Sequence, residues 1–355
     1  MSKPIERRVM TDWVVAAEEL RAELLAPDAN DVDCSGVIPA SHFDALRSRG
    51  FYGLAFKSQD PIRTLADTGE VLVSGCLATA FVWAQHHGTL LRLATSSNEG
   101  LKAKYLTALQ TGDMRAGVSG SGYASPRKPL VKAVRVAGGY SITGTSPFVT
   151  GWNGLTEVIG VTAYDEAAGQ QVTFLAHAED VSGLVSDRLE LTAAHASHTV
   201  RLTFDRLHVP DDMVMSVSSA SKKDGSELSD MDRAVTRLNG SLALGTAKAS
   251  LLELAAMGRS NDILDARHNE IRATLTRAIT ERQIDIFGVR AAASRFSVDV
   301  ANHLASEAGS GAILRGATPE RLLREAAFSL VCTTTPEMKA HLLREAAHRY
   351  DLSVA

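Results

Sequence analysis

The apolar residues of this chain change their period twice, and that change restricts the possible folds more than any other feature. From residue 5 to about 112 they recur at helical spacing. Between Met114 and Val214 short runs rich in Val, Thr, Ile and Phe take over (KAVRVAGGYSITG, TEVIGVTAY, QVTFLAHA, TVRLTFDRLHV), separated by Gly-Gly, Gly-Trp-Asn-Gly and Asp-Glu turns. After the polar stretch 216–232, which includes Lys222 and Lys223 and reads as a surface linker, helical spacing returns. A pattern of one period carries its apolar side chains to the wrong face of an element of the other period, so the two kinds of segment cannot exchange roles. The predicted fold is a multidomain α+β chain. It has a helical unit over 1–113, an antiparallel, barrel-like sheet over 114–216, a linker over 217–229 and a four-helix bundle over 230–355.

Individual segments sharpen that division. Asp67 to Ser97 carries Leu72, Gly75, Thr79, Val82, Ala84 and Leu90 among few charges, which predicts a buried helix pair. EGLKAKYLTALQ, from Glu99 to Gln110, is an amphipathic helix stopped by Thr111-Gly112-Asp113. In the strand run that begins at Thr199, the residues Val200, Leu202 and Phe204 face one way and Thr199, Arg201 and Thr203 the other. Leu238, Leu242, Gly245, Ala249, Leu252 and Ala256 recur at three- and four-residue steps, a face whose small members permit close helix packing within a bundle that supplies most oligomer contacts. Further helices are expected over about 262–306, 319–332 and 336–349.

Composition excludes several classes of function. With 45% hydrophobic and 22% charged residues and a net charge of -4 over 355 residues, the chain has neither the basic balance of a nucleic-acid binder nor an acidic solvating tail. The N-terminal segment alternates charge with apolar positions instead of presenting an apolar core, and no uninterrupted apolar run is long enough for a bilayer, so a soluble cytoplasmic protein is expected. Cys34, Cys76 and Cys332 are odd in number and far apart, which suits a reducing compartment and suggests neither a disulfide framework nor a metal knuckle. His195 and His198 stand close in HASH but lack a visible third ligand, so no metal is expected. Gly120-Ser121-Gly122 is half of a dinucleotide fingerprint that opens no helix, and no nucleophile elbow, P-loop or H-E-x-x-H motif occurs.

Four segments in collinear order resemble the acyl-CoA dehydrogenase superfamily. KAKYLTALQTGDMRAGVS is similar to the helix and strand that close its first domain, and GGYSITGTSPFVTGW to its strand pair ending in W-I-T-N-G. TVRLTFDRLHVPDDMVM is similar to its exit strand, and PERLLREAAFSLVCTTTPEMK to the C-terminal helix pair around Y-E-G-T. The resemblance implies FAD laid along the sheet, between sheet and bundle. Phe148 falls where the family keeps a tryptophan beside the flavin, Thr150 where a threonine contacts the ring, and Ser119 where a second threonine does. A flavin needs such a flat apolar wall and donors to its ring heteroatoms. Gly309-Ser310-Gly311 resembles the glycine turn that meets the adenine side across a subunit interface, Gly309 and Gly311 allowing close backbone approach; a helix C-cap turn is the equally weighted alternative.

The departures from the family bear on function. The catalytic glutamate of such dehydrogenases comes from the Y-E-G-T loop or from the first bundle helix, and here those positions hold Thr333 and Thr236. A threonine hydroxyl is no general base near neutral pH without its own activator. The family's R-x-x-F-G segment for the neighbouring subunit's pyrophosphate is not recognisable in AAMGRSNDILDARHNEIRATL, where Arg259 and Arg267 are the nearest substitutes. His86 and His87, in FVWAQHHG near the expected end of the buried helix, lie where monooxygenases of the same fold use a histidine; favourable placement at a helix C-terminus is the alternative reading. Three functions follow in order: FAD-dependent oxidation of an acyl thioester with an atypical or partner-supplied base, a two-component flavin monooxygenase, and a non-catalytic subunit of a hetero-oligomer. The implied partners are an acyl-CoA or related thioester, an electron-transfer flavoprotein or flavin reductase, and further subunits in a homo- or hetero-oligomeric dimer or tetramer.

Overall fold

The computed structural model describes residues 12–119, 129–219 and 228–350, the last six of them by backbone alone. Gly120-Ser121-Gly122 and Lys222-Lys223 lie outside the described residues.

Six α-helices come first: α1 (Trp13–Leu20), α2 (Ala26–Ser35), α3 (Ala40–Ser48), α4 (Pro61–Gly75), α5 (Leu77–Ala94) and α6 (Glu99–Thr111). Local chemistry sets their ends. Asp60 accepts from the Arg63 N–H with Pro61 at the first helical position of α4, and Asn98 accepts from the Leu101 N–H to cap α6. Gly112 stops α6 at φ +78, and a Cβ there would lie 2.2 Å from Cδ2 of Tyr52, so glycine is required twice over.

Eight strands follow: β1 (Ala116–Ser119), β2 (Val131–Val136), β3 (Gly139–Val149), β4 (Val158–Asp165), β5 (Gln170–His177), β6 (Leu184–Arg188), β7 (Val200–Pro210) and β8 (Val214–Ser219). They form one sheet in the order β6-β7-β3-β2-β4-β5-β8, with β1 beside β4. The sheet is mixed and not wholly antiparallel as expected, since β1 and β2 both pair with β4 in parallel. The first of these pairings is fixed at its start: the Glu157 N–H donates to the Arg115 carbonyl at 3.0 Å, and the Arg115 guanidinium meets the Glu157 carboxylate at 2.7 Å. Val131, Ile142, Val161, Phe174, Leu202 and Phe204 fill the sheet core. Strand β8 continues to Ser219, into the segment expected to be linker.

The C-terminal helices are α7 (Asp230–Ala256), α8 (Asp262–Arg277), α9 (Ile286–Ala308), α10 (Thr318–Val331) and α11 (Pro336–Tyr350). Ser229 and Asp232 form a reciprocal capping box at the start of α7. The single stretch expected over 262–306 is two helices, because α8 ends at Arg277 and Asp285 caps α9 by accepting from the Gly288 N–H. Helices α7 to α10 share the bundle core, and α11 covers α9 through Met338 and Leu342 against Ala291.

Among the small residues of α7, Ala249 lies in the bundle core as expected, but Gly245 serves a different contact. Gly245 faces α4 of the N-terminal unit, where a Cβ would meet Cβ of Val73 at 2.5 Å and the Glu70 carbonyl at 2.6 Å, while Leu252 and Ala256 are exposed. Gly245→Ala should therefore destabilise the chain by about 1–3 kcal/mol through overpacking, despite the better helix propensity of alanine. Urea unfolding monitored by circular dichroism is the check, and a stabilised variant would refute the close α4–α7 contact.

Candidate active site

Helix α5 positions the candidate site. Most of it is buried, but Ala84, Gly88 and Arg92, spaced one turn apart, are exposed and Gln85 is half-buried, so the helix presents one open stripe that begins with two small residues. On the sheet side the Thr89 hydroxyl donates to the Gly117 carbonyl at 2.6 Å, and the Val118 side chain lies 3.8 Å from where a Gly88 Cβ would stand. On the bundle side Phe81 meets Phe328 of α10 edge-on, with ring centroids 5.6 Å apart.

Ser119 and Thr150, picked out by the resemblance, both lie where β1 meets the end of β3, Ser119 beside Ser146 and Thr150 beside Gly117. The Ser119 and Ser146 hydroxyls are 2.6 Å apart, and a Cβ on Gly117 would lie 2.8 Å from the Thr150 carbonyl. The Thr150 hydroxyl is 2.9 Å from that of Thr199, which is 3.0 Å from that of Ser197. Phe148, two residues before Thr150, is 57% exposed. Thr199 and Ser197 were not anticipated. Alternation grouped Thr199 with exposed Arg201 and Thr203, yet it is buried, because β7 begins only at Val200 and His198 turns the chain with φ +45.

Neither base position holds an activated group. The Thr236 hydroxyl donates to the Asp232 carbonyl at 2.7 Å, one helical turn back. Thr333, two residues beyond α10, donates to the Cys332 carbonyl at 2.7 Å and has φ +58, a left-handed conformation unusual for a β-branched residue. Glu325 does not substitute: it is buried against Arg321 at 2.9 Å, and burial raises its carboxyl above the usual range while Arg321 opposes that rise. Burial also pushes the Cys332 thiol up to about 12, so it is no nucleophile near neutral pH.

His86 and His87 sit in the middle of α5, not near its end, and both imidazoles are buried on the side facing the N-terminal core. His86 Nδ1 accepts from the Ala116 N–H at 3.0 Å, and its ring lies 4.9 Å from that of Tyr52. His87 lies edge-on to Trp83 at 4.6 Å. The structure does not group either ring with Ser119, Phe148 and Thr150. Burial lowers both imidazoles, His86 to about 3, so near neutral pH neither is an imidazolium and each keeps a single N–H.

Gly309 and Gly311 lie in a 3-10 turn, Gly309–Ile313, which packs against α9 and α10 away from the sheet hydroxyls. Gly309 has φ +69, and a Cβ on either glycine would meet nothing within 4 Å, so the turn's backbone is open to approach. Arg259 and Arg267 are engaged by Glu307 at 3.2 Å and Glu270 at 2.7 Å. His195 Nε2 accepts from the Arg188 guanidinium at 2.8 Å, and among the described residues no cluster of three or more His, Cys, Asp or Glu could hold a metal.

No family model and no curated protein matches the sequence. Solved structures match over nearly the whole chain. Butyryl-CoA dehydrogenase from Megasphaera elsdenii is 16% identical with a TM-score of 0.76, covering 98% of this chain and 100% of that one. A glutaryl-CoA dehydrogenase from Mycobacterium smegmatis in complex with FADH2 is 15% identical with a TM-score of 0.74, covering 95% and 94%. A nitrososynthase from Micromonospora carbonacea var. africana is 18% identical with a TM-score of 0.73, covering 95% and 97%. The chain has the acyl-CoA dehydrogenase fold.

The buried imidazoles give a pH dependence with a definite sign. Unfolded histidine binds a proton below about 6.5, whereas the folded chain holds His86 neutral down to about 3, so their contribution is intact above pH 6.5 and falls as pH drops toward 3. Between pH 6.5 and 4.5 the His86 imidazole should cost roughly 2–3 kcal/mol of stability, and His87 should add a loss of the same sign. Denaturant midpoints measured across that range for the parent and for His87→Phe test it, and an unchanged slope in the variant would show that His87 is not held neutral.

Proposed function

We propose that the chain is an FAD-dependent oxidoreductase that holds the flavin ring against Ser119, Phe148 and Thr150 and acts on an acyl thioester. The proposal rests on the exposed Phe148 ring two residues before Thr150 and on the buried hydroxyl pairs Ser119–Ser146 and Thr150–Thr199, in a chain of acyl-CoA dehydrogenase fold. These residues fit a flavin, since the ring offers a flat wall and the hydroxyls offer donors and acceptors to its polar edge. The open Gly309–Gly311 backbone fits an adenine-side contact, made to a neighbouring subunit. Bound FAD would supply a hydride acceptor for the substrate's β-carbon.

What the chain's own residues do is bind and orient. Ala84 and Gly88 leave room along α5 for a slender acyl group, and the Phe81–Phe328 pair closes the space between α5 and α10. Removal of the α-proton is the step the chain leaves unsupported, because the Thr236 and Thr333 hydroxyls are both committed to carbonyls. The base is therefore atypical or comes from a partner subunit. An electron-transfer flavoprotein would reoxidise the cofactor, and the working assembly is a homo- or hetero-oligomeric dimer or tetramer in the cytoplasm.

A second reading, a two-component monooxygenase served by a flavin reductase, is favoured by the same missing carboxylate, which such chemistry does not need. The nitrososynthase likeness supports it at the level of fold. A third, a non-catalytic subunit of a hetero-oligomeric dehydrogenase, follows if no flavin is bound.

Two outcomes test the proposal. Thr150→Trp should abolish FAD retention, read from the visible spectrum and flavin stoichiometry of the purified protein, and unchanged stoichiometry would sink the site. In anaerobic mixing with a panel of acyl-CoA thioesters, the flavin-loaded chain should bleach slowly, since general-base catalysis is worth on the order of 100- to 10,000-fold. Thr333→Glu or a base-bearing paralogous subunit should accelerate it. Rapid bleaching of the unmodified chain alone would overturn the missing-base argument.

A further inference from the structure

We infer that Ser197 and Thr199 act with Thr150 as a three-hydroxyl relay whose direction sets whether Thr150 offers a proton or a lone pair to the flavin ring. This inference rests on the flavin reading above.

The three oxygens stand in sequence, Ser197 to Thr199 at 3.0 Å and Thr199 to Thr150 at 2.9 Å, and the residues are 0%, 3% and 5% exposed. Each hydroxyl has one proton to give and can accept another. If the chain donates from Ser197 toward Thr150, the Thr150 proton is free for an acceptor on the ligand. If it donates the other way, Thr150 presents a lone pair to a ligand N–H. An oxidised flavin presents acceptor nitrogen where the reduced form carries hydrogen, so a reversible relay can serve both states without moving a heavy atom. No group in the relay titrates near neutral pH, so its direction answers to the ligand and not to the medium.

The backbone around the relay is held in place from both sides. Ala194 and His198, neither of them glycine, have φ +55 and +45, and strain of this kind persists where the surroundings over-determine it. The surroundings are visible. The Gly151 N–H donates to the Ser197 carbonyl at 3.0 Å and the Trp152 N–H to the His198 carbonyl at 3.1 Å, so the strained turn grips the two residues after Thr150. The Thr156 hydroxyl donates to the Gly151 carbonyl at 2.8 Å, and a Cβ on Gly151 would lie 2.7 Å from Cγ2 of Thr156. A satisfied hydroxyl network needs no such clamp; a network that must hold one hydroxyl at a fixed point does. Thr199 and Ser197 are thus positioning residues, acting through Thr150.

The experiment uses the full chain, reconstituted with FAD, as wild type, Thr199→Val, Thr199→Ser and Ser197→Ala. Affinities for oxidised FAD and for dithionite-reduced FAD are measured by fluorescence and anaerobic titration, with the visible spectrum recorded in parallel and thermal melting of the apo chain reporting the fold. Thr199→Val, which keeps shape and loses the hydroxyl, should change the ratio of the two affinities by fivefold or more and shift the absorption bands. Thr199→Ser should restore both. Wild-type affinities and spectrum in Thr199→Val would overturn the relay. So would equal weakening of both redox states without rescue by serine, which would mark a packing role. If Thr199→Val does not fold, Ser197→Ala decides by the same ratio. A wild-type chain that takes up no FAD would sink the flavin reading itself, a result distinct from a flavin-loaded chain in which the variants change nothing.

Discussion

The Thr89 hydroxyl reaches the Gly117 carbonyl at 2.6 Å, and that contact between a helix and a strand is what the rest of the site depends on. It is possible only because the neighbouring strand residue is glycine: a Cβ on Gly160 would lie 2.4 Å from the Thr89 oxygen. With α5 seated so closely on β1 and β4, Gly88 stands against Val118, the residue before Ser119. The same helix reaches α10 through Phe81 and Phe328. One helix therefore registers the sheet against the bundle.

Buried ionic groups join the two helical units. Arg237 of α7 is fully buried and meets Asp67 of α4 at 2.7 Å, with further bonds to Thr276 and Ser241. Arg321 of α10 meets Glu325 and the Asn30 side chain of α2, both within 3 Å. Desolvation offsets much of the Coulomb attraction in such pairs, so their net contribution to stability is small, but leaving one member unpaired is costly, of order 3–5 kcal/mol. They consequently fix which surfaces meet more than how strongly. The same reasoning explains why Glu325 is a poor replacement base: its carboxylate is buried in the seam and paired with Arg321.

At Thr333 and Thr236, the two positions where the resemblance leads one to expect a glutamate, the hydroxyls close on carbonyls of their own segments, so neither position carries a free proton acceptor. Chemistry at this site then depends on what approaches it, whether a partner's carboxylate or a reaction that needs none. The imidazoles of α5 are poor proton acceptors, since both rings are buried and burial lowers their basicity.

The amino-acid sequence by itself determined what depends on neighbours in the chain. Period assigned the helices and strands, caps such as Asn98 and Gly112 set their ends, and motif position alone singled out Ser119, Phe148 and Thr150 and exposed the missing glutamate. The parallel pairing of β1 with β4, the packing of Gly245 on α4 instead of within the bundle, and the inward turn of His86 and His87 were decided only by the tertiary structure. So was the burial of Thr199, which period two assigned to solvent. The physical reason is common to all four. Each depends on an atom supplied by a distant segment, such as Glu157 for β1, Val73 for Gly245, Tyr52 for His86 and Thr150 for Thr199. No local spacing records which distant surface will arrive.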